Sequence, residues 1–221
     1  ESVFDLINLN ESWFMEFYED KLMTPIKDID PDFELDPQVI EYDYATRWDH
    51  SANYTTADGI LYGIPINGNI QIFYYRKDLY EEKGLSVPTT WEEVIANSKA
   101  LHNPPETIGF VTRTTPANFE VQAYLNSHGG GVIKKNLETG EWEVIINTPE
   151  SKAGLKTWLD ICLKYGAENA SDIGQSEMLA LMMSGKGAQC IMVSAAAPNL
   201  QDERQSVVVD KVGTAPVPGG V

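Results

Sequence analysis

The chain has 221 residues and a formal net charge of −17, long enough for one or two domains with a sizeable core. Hydrophobic residues make up 43% and charged residues 22%, the balance of an ordinary globular protein. The acidic excess excludes nucleic acid and anionic membrane surfaces as partners, since both need a basic patch, and no apolar run approaches the roughly 20 residues of a membrane span.

In chain order, residues 3–9 alternate as a strand does, without the charged start and cleavage site of a signal peptide. Residues 11–22 read as a helix, with Asn10 as N-cap and Trp13, Phe14, Phe17 and Tyr18 along one side. The acidic loop from Thr24 to Pro37 opens like an EF-hand with Asp28, Asp30 and Asp32. Phe33 stands where that loop needs Gly and Val39 where it needs Glu, so a solvated loop is expected. A short helix over 38–47 and a turn at Ala57-Asp-Gly59 follow.

The stretch from Tyr62 to Leu79 is the organising one. Ile70, Ile72 and Tyr74 alternate with Gln71, Phe73 and Tyr75, and both series are largely apolar. That suits a strand covered on both faces. Pro65, Asn67, Gly68 and Asn69 precede it, a start that marks a change of backbone direction or a close approach. The reading is a strand crossing between two lobes, its amide-rich start facing a cleft.

Beyond it, Thr90-Trp-Glu-Glu93 is a capping box opening a helix with Val94, Ile95 and Leu101 inward, ended before Pro104-Pro105. Residues 107–111 form a short strand. A helix over 116–128 turns Val121, Tyr124 and Leu125 inward and stops at Gly129-Gly130-Gly131. Residues 132–146 make a hairpin turning near Thr139-Gly140. The next helix has Thr148 as cap, Pro149 at its first position and Gly166 past its end. Its apolar face carries Leu155, Trp158, Leu159 and Cys162, and Cys190 lies in the apolar strand 188–193. Buried thiols are the expectation for both cysteines; their bonding stays open. A Met-rich helix at 177–184, a short helix at 198–204 and a strand at 212–216 complete the chain.

Little here points to catalysis. His50, His102 and His128 fall in no His-Glu-x-x-His pattern, and no Gly-x-Ser-x-Gly elbow occurs. Ser184-Gly-Lys-Gly187 lacks the upstream Gly of a phosphate loop. Glu41 and Asp43, two apart, point to different faces of a helix. Tyr74 and Tyr75 face opposite sides of a strand, so they form no paired metal site. No catalytic residue, metal or cofactor is expected.

Five stretches together carry a resemblance: Tyr62 to Leu79, Val87-Pro-Thr-Thr-Trp-Glu-Glu-Val94, Ser127-His-Gly-Gly-Gly131, Asn147-Thr-Pro-Glu150 and Ser184-Gly-Lys-Gly-Ala188. In this order they resemble the cluster-1 bacterial extracellular solute-binding proteins, the maltose-binding-protein-like receptors of ABC importers. The resemblance implies an α/β, periplasmic-binding-protein-like two-lobe fold. Residues 1–66 would be a partial lobe I, 67–75 the hinge crossing, 76–211 a largely complete lobe II and 212–221 a returning hinge strand, in a chain cut at both ends.

The same resemblance implies a receptor outside the cytoplasm, periplasmic or lipid-anchored, that closes on a sugar or sugar alcohol and delivers it to a membrane permease. A carbohydrate-active or other small-molecule enzyme domain is the alternative. Dimerisation through the edges of a partial lobe I is a further expectation.

Its ligand would meet Glu11, Ser12 and Trp13 at the first helix, Asn67 and Asn69 at the hinge, and Arg113, Asn118, Phe119, Gln122 and Ser194 in lobe II. Amides and guanidinium bond hydroxyls, while aromatic faces cover C–H surfaces. Asn118 and Gln122 share a helical face. Ser194-Ala-Ala-Ala197 is small where maltose-type members carry a Trp platform, which suits a smaller or more linear ligand. The hinge block and Leu101-His-Asn-Pro-Pro105 are most similar to polyol and monosaccharide receptors.

Overall fold

The computed structural model describes residues 4–219, the side chains of Glu11, Ser12 and Asp43 apart. The chain divides into two compact units, Glu1–Gly68 and Asn69–Val221.

In the first unit, helix α1 (Glu11–Glu19) ends earlier than expected. Lys21 adopts a left-handed φ of 56°, and the Leu22 N–H reaches back to Phe17 O at 2.9 Å, a Schellman stop without glycine. Helix α2 (Ile26–Ile29) is a single turn inside the acidic loop. Only a 3-10 turn at Tyr42–Tyr44 forms where residues 38–47 were expected to be helical. Strands β1 (Arg47–Trp48) and β2 (Ile60–Leu61) pair antiparallel. Gly59 lets them approach, since a Cβ there would meet the Trp48 backbone at 2.8 Å. Among the described residues, Phe14, Trp48 and Leu61 are the buried large apolar residues of this unit. Residues 4–9 form no strand: they are exposed apart from a half-buried Leu9, and no strand among the described residues pairs with them.

The second unit runs β3 (Gln71–Arg76), α3 (Lys77–Lys83), α4 (Trp91–Leu101), α5 (Asn118–Ser127), β4 (Ile133–Lys135), β5 (Trp142–Val144), α6 (Pro149–Tyr165), α7 (Gln175–Met183), β6 (Gln189–Val193), α8 (Ala197–Leu200) and β7 (Val212–Ala215). Its main sheet has the order β6-β3-β7, with both pairings antiparallel. Phe73 and Tyr74 on β3 are both fully buried and face opposite sides. Phe73 joins Trp91, Val94, Phe110, Tyr124, Ile161 and Ile191. Tyr74 joins Val111, Ile173, Met178, Met182, Cys190 and Met192. The doubly apolar strand of the sequence is thus the partition between two cores.

Local signals set most helix ends. Thr90 and Glu93 form both arms of a capping box on α4, Thr148 accepts the Ser151 N–H with Pro149 at the start of α6, and Gly129 takes a φ of 78° after α5. The hairpin β4–β5 turns at Gly140, φ 74°. The helix expected at 198–204 is reduced to α8, preceded by a 3-10 turn at Ser194–Ala196. Residues 107–111 are a correction. They make only isolated bridges, Thr107 antiparallel to Asn103 and Ile108 and Val111 parallel to Gly187 and Cys190, because the chain bends at Gly109 between them, where a Cβ would lie 2.4 Å from Ser98 O.

The buried face of α6 is a second correction. Leu155 and Leu159 are 36% and 41% exposed, whereas Ser151, Gly154, Ile161 and Cys162 are buried. Gly154 decides this phase: a Cβ there would sit 2.5 Å from Tyr124 O, so α5 can lie closely against α6 only on the face that carries this glycine. Gly→Ala in a helix ordinarily stabilises by up to about 1 kcal/mol. Gly154→Ala is expected to destabilise instead, by about 1–3 kcal/mol of overpacking, read as a lower urea midpoint with unchanged slope.

Candidate functional site

In the second unit the expected residues gather at the N-terminal end of α5. Asn118 and Gln122 are exposed one turn apart, and Phe119 between them is 46% exposed. The Arg113 guanidinium lies 4.8 Å from the centroid of the Phe119 ring. It donates to Gln175 Oε1 at 3.2 Å and to Thr115 O at 3.4 Å. A half-buried cation is thereby held over an aromatic face, beside two amides open to solvent.

Strand β3 brings the other groups to the same place. The Gln71 side-chain amide donates to Phe119 O at 2.5 Å. One residue earlier, Ile70 O accepts the Ser194 N–H at 2.8 Å. Asn69 is exposed next in line, and Ser194 is half-buried at the start of its 3-10 turn. Asn69, Ser194 and the first turn of α5 therefore converge on residues 70 and 71. An apolar groove of about 480 Å³, lined by Ile70, Gln71, Ile72 and residues 214–217, runs along this end of β3 and β7.

Tyr74 and Tyr75 lie behind this end. Tyr74 is fully buried and donates its hydroxyl to Val193 O at 3.1 Å; burial pushes its pKa up to about 12. Tyr75 packs on the other side against Tyr80, 4.8 Å between ring centroids. Cys162 and Cys190 are free, buried thiols; burial raises Cys162 to about 11 and holds Cys190 well above the ordinary thiol range.

In the first unit Trp13 is 57% exposed while Phe14 takes the buried position, so the aromatic side of α1 expected from the sequence is divided between core and surface. Asn67 is exposed in a segment without regular secondary structure. The side chains of Glu11 and Ser12 lie outside the described residues. This unit has an aromatic cluster of its own. The Tyr18 hydroxyl lies 2.6 Å from His50 Nε2, which is 3.2 Å from the Tyr62 hydroxyl. These side chains line a cavity of about 260 Å³ with Glu19, Lys21 and Met23. Burial, aided by Asp28, raises the Tyr62 pKa.

Sequence reasoning missed Gln71, Gln175 and Glu120, which hold the second unit's cluster in place. Gln71 carried a signal, as a polar residue opening a strand whose next four residues, Ile72 to Tyr75, are largely apolar. Glu120 carried another, one turn before the inward Tyr124. Among the described residues no group of three His, Cys, Asp or Glu is placed so that it could hold a metal ion. The acidic loop is turned on itself instead, with the Asp32 N–H on Asp30 Oδ1 at 3.1 Å.

Gln71→Ala removes the side-chain bond between the start of β3 and the first turn of α5. The expected loss is about 1 kcal/mol, measured by urea unfolding. Amide exchange at Phe119, Glu120 and Val121 should quicken more than along α6.

The chain matches the family described as bacterial extracellular solute-binding protein over residues 2–221. It is 30% identical over 163 residues to a mannitol-binding protein of Pseudomonas aeruginosa, an alignment covering 72% of this chain and 37% of that protein. An ABC transporter solute-binding protein from Agrobacterium radiobacter K84, solved with ribitol, superposes with a TM-score of 0.81 at 24% identity, covering 99% of this chain and 54% of that one. Another from Agrobacterium vitis S4, with bound D-mannitol, gives 0.69 at 27% identity over 92% of this chain and 48% of that one. The chain spans about half the length of these relatives or less. Among the described residues no helix is long and apolar enough to cross a membrane.

Proposed function

The chain belongs to the bacterial extracellular solute-binding protein family and has its α/β, two-lobe periplasmic-binding-protein fold, and on that premise we propose that it is part of an ABC importer's receptor for a sugar alcohol or small sugar. Glu1–Gly68 is assigned to lobe I and Asn69–Val221 to lobe II with its hinge strands. The observation that carries the reading is the cluster of Arg113 over Phe119 beside Asn118 and Gln122. It offers cationic and amide donors, amide acceptors and an aromatic face, and its exposed side chains carry no opposing charge. Such a surface suits a neutral polyhydroxylated solute, whose hydroxyls bond the amides while its C–H side lies on the ring.

Two relatives are named or described with mannitol and one with ribitol, linear polyols that need no broad aromatic platform. The small Ser194-Ala-Ala-Ala197 stretch agrees with a ligand of that size. In the whole protein, closure of the lobes on the solute stabilises the closed form by contacts that the open form lacks. The closed receptor then presents the solute to a membrane permease on the outer side of the membrane, as a periplasmic or surface-anchored protein. The solute leaves unchanged; the chain supplies binding groups and no bond-breaking step.

A thermal-shift series with ribitol, D-mannitol, glucose, amino acids and ferric ion tests this. A ligand of the native state at about 100 times its Kd raises the melting temperature by about 5–10 °C. A rise with a polyol or monosaccharide is expected. Asn118→Ala and Gln122→Ala should abolish most of it while changing ligand-free stability by less than about 0.5 kcal/mol, as exposed positions do. A rise with amino acids or iron alone, or with nothing, overturns the reading for this chain.

A further inference from the structure

Behind the exposed cluster lies a buried polar group that the binding surface does not use. Glu120, third residue of α5, is 1% exposed. Its Oε2 accepts the backbone N–H of Arg113 at 2.7 Å. Its Oε1 has no hydrogen-bond partner, and neither does the buried hydroxyl of Thr112 or of Tyr124. The Thr112 hydroxyl lies near enough to the Tyr124 hydroxyl to favour its ionised form, yet outside hydrogen-bonding geometry. Around the carboxyl stand Tyr124 from the same helix, Cys162 from α6, Cys190 from β6 and Arg113 from the preceding loop.

An ionised carboxylate here would keep a full charge out of water with one backbone donor and a lone oxygen unpaired, an arrangement that burial strongly disfavours. The acid form has no such difficulty. One oxygen accepts from Arg113, and the other becomes an uncharged O–H, a donor instead of an unpaired charged oxygen. The N-terminal end of α5 and the nearby Arg113 favour the charge, but burial outweighs them and raises the Glu120 pKa well above the ordinary carboxylate range.

We propose that Glu120 is the positioning residue of the cluster: as an uncharged carboxylic acid it clips the backbone of Arg113 to the first turn of α5, and so sets Arg113 against Phe119, Asn118 and Gln122. The ligand-facing part of this inference rests on the polyol reading above; the clip itself does not. The chain between the two bonded residues makes a reversal, and Ala117 caps α5 with no side-chain hydrogen bond. Glu120 supplies the missing fixation by reaching back past the cap to Arg113.

The test compares the chain with Glu120→Gln and Glu120→Ala. The amide of Gln can accept the Arg113 N–H and carries no charge at any pH. In the unmodified chain the unfolded carboxyl ionises near its ordinary value of about 4.3 while the folded one stays protonated. Stability is therefore complete below that value and declines as pH rises toward the folded pKa. The melting temperature of Glu120→Gln minus that of the unmodified chain should grow by about 3–5 °C per pH unit from pH 5 upward. A gap that is constant, or that shrinks with pH, means an ionised Glu120 and overturns the proposal.

Amide NMR supplies the second readout. The Arg113 N–H should keep a hydrogen-bonded, slowly exchanging signal in Glu120→Gln and lose it in Glu120→Ala. Retention in both variants overturns the clip; if Glu120→Ala does not fold, the pH gap and the Glu120→Gln spectrum still decide. With D-mannitol as probe, Glu120→Ala should weaken binding at least ~10-fold more than Glu120→Gln does. Equal weakening removes the positioning role. If D-mannitol binds none of the three proteins, the polyol reading fails while the pH gap and the Arg113 signal still judge the clip.

Discussion

Strand β3 is the constraint on which the second unit depends. Its backbone is paired on both sides, to β6 through residues 71–75 and to β7 through residues 73–76. Its faces are closed too, by Phe73 in one core and Tyr74 in the other. A residue fixed on four sides cannot shift register without moving apolar groups of both cores at once. The start of β3 is different: Ile70 lies before the ladder and Gln71 is paired to β6 alone, so the Ile70 carbonyl and the Gln71 side-chain amide still need partners. They find Ser194 and Phe119. The position of the candidate site follows from where the doubly buried strand runs out.

That frame explains the separation between buried and exposed polar groups. Arg76 is held by Asp78 on both its Nε and Nη2, at 2.7 and 2.6 Å, and by Gly185 O at 2.8 Å. Gln189 donates to Ser98 Oγ at 2.7 Å and accepts from the Tyr80 hydroxyl. These groups spend their hydrogen bonds on the fold and have none left for a solute. Asn118 and Gln122 sit on an exposed face, where water holds their places until something else does. The difference lies in burial, not in residue type.

The parts of the fold that the sequence made legible are those decided within a few residues. The Thr90–Glu93 box, Pro149 after Thr148, and the glycines after α5 and α7 act on their own turn of helix, so their patterns read directly. Residues 4–9, 38–47 and 107–111 were misread because alternation or periodicity records only what a segment could do. Whether a ladder forms depends on a partner elsewhere. The α6 stripe failed for a related reason. Leucines at 155 and 159 fit an apolar face by spacing, but Gly154 is where α5 comes close, and a missing side chain leaves no mark in a hydrophobic pattern.

The candidate site divides along the same line. Asn118 and Gln122 were legible because their spacing puts both on one helical face, and Asn69 because a breaker-rich start to a buried strand is unusual. Glu120 was not. Read along the chain it is one more carboxylate among 33 acidic residues, and its phase with Tyr124 marks burial without naming a partner. Its bond joins a side chain to a backbone N–H across a chain reversal. A backbone donor is present at nearly every residue, so sequence cannot select which one is met. What selects it is the close packing of α5 on α6 at Gly154, which turns the Glu120 side of the helix inward and leaves the Asn118 and Gln122 side open. One glycine contact thus decides which polar residues of α5 are structural and which remain available to a ligand.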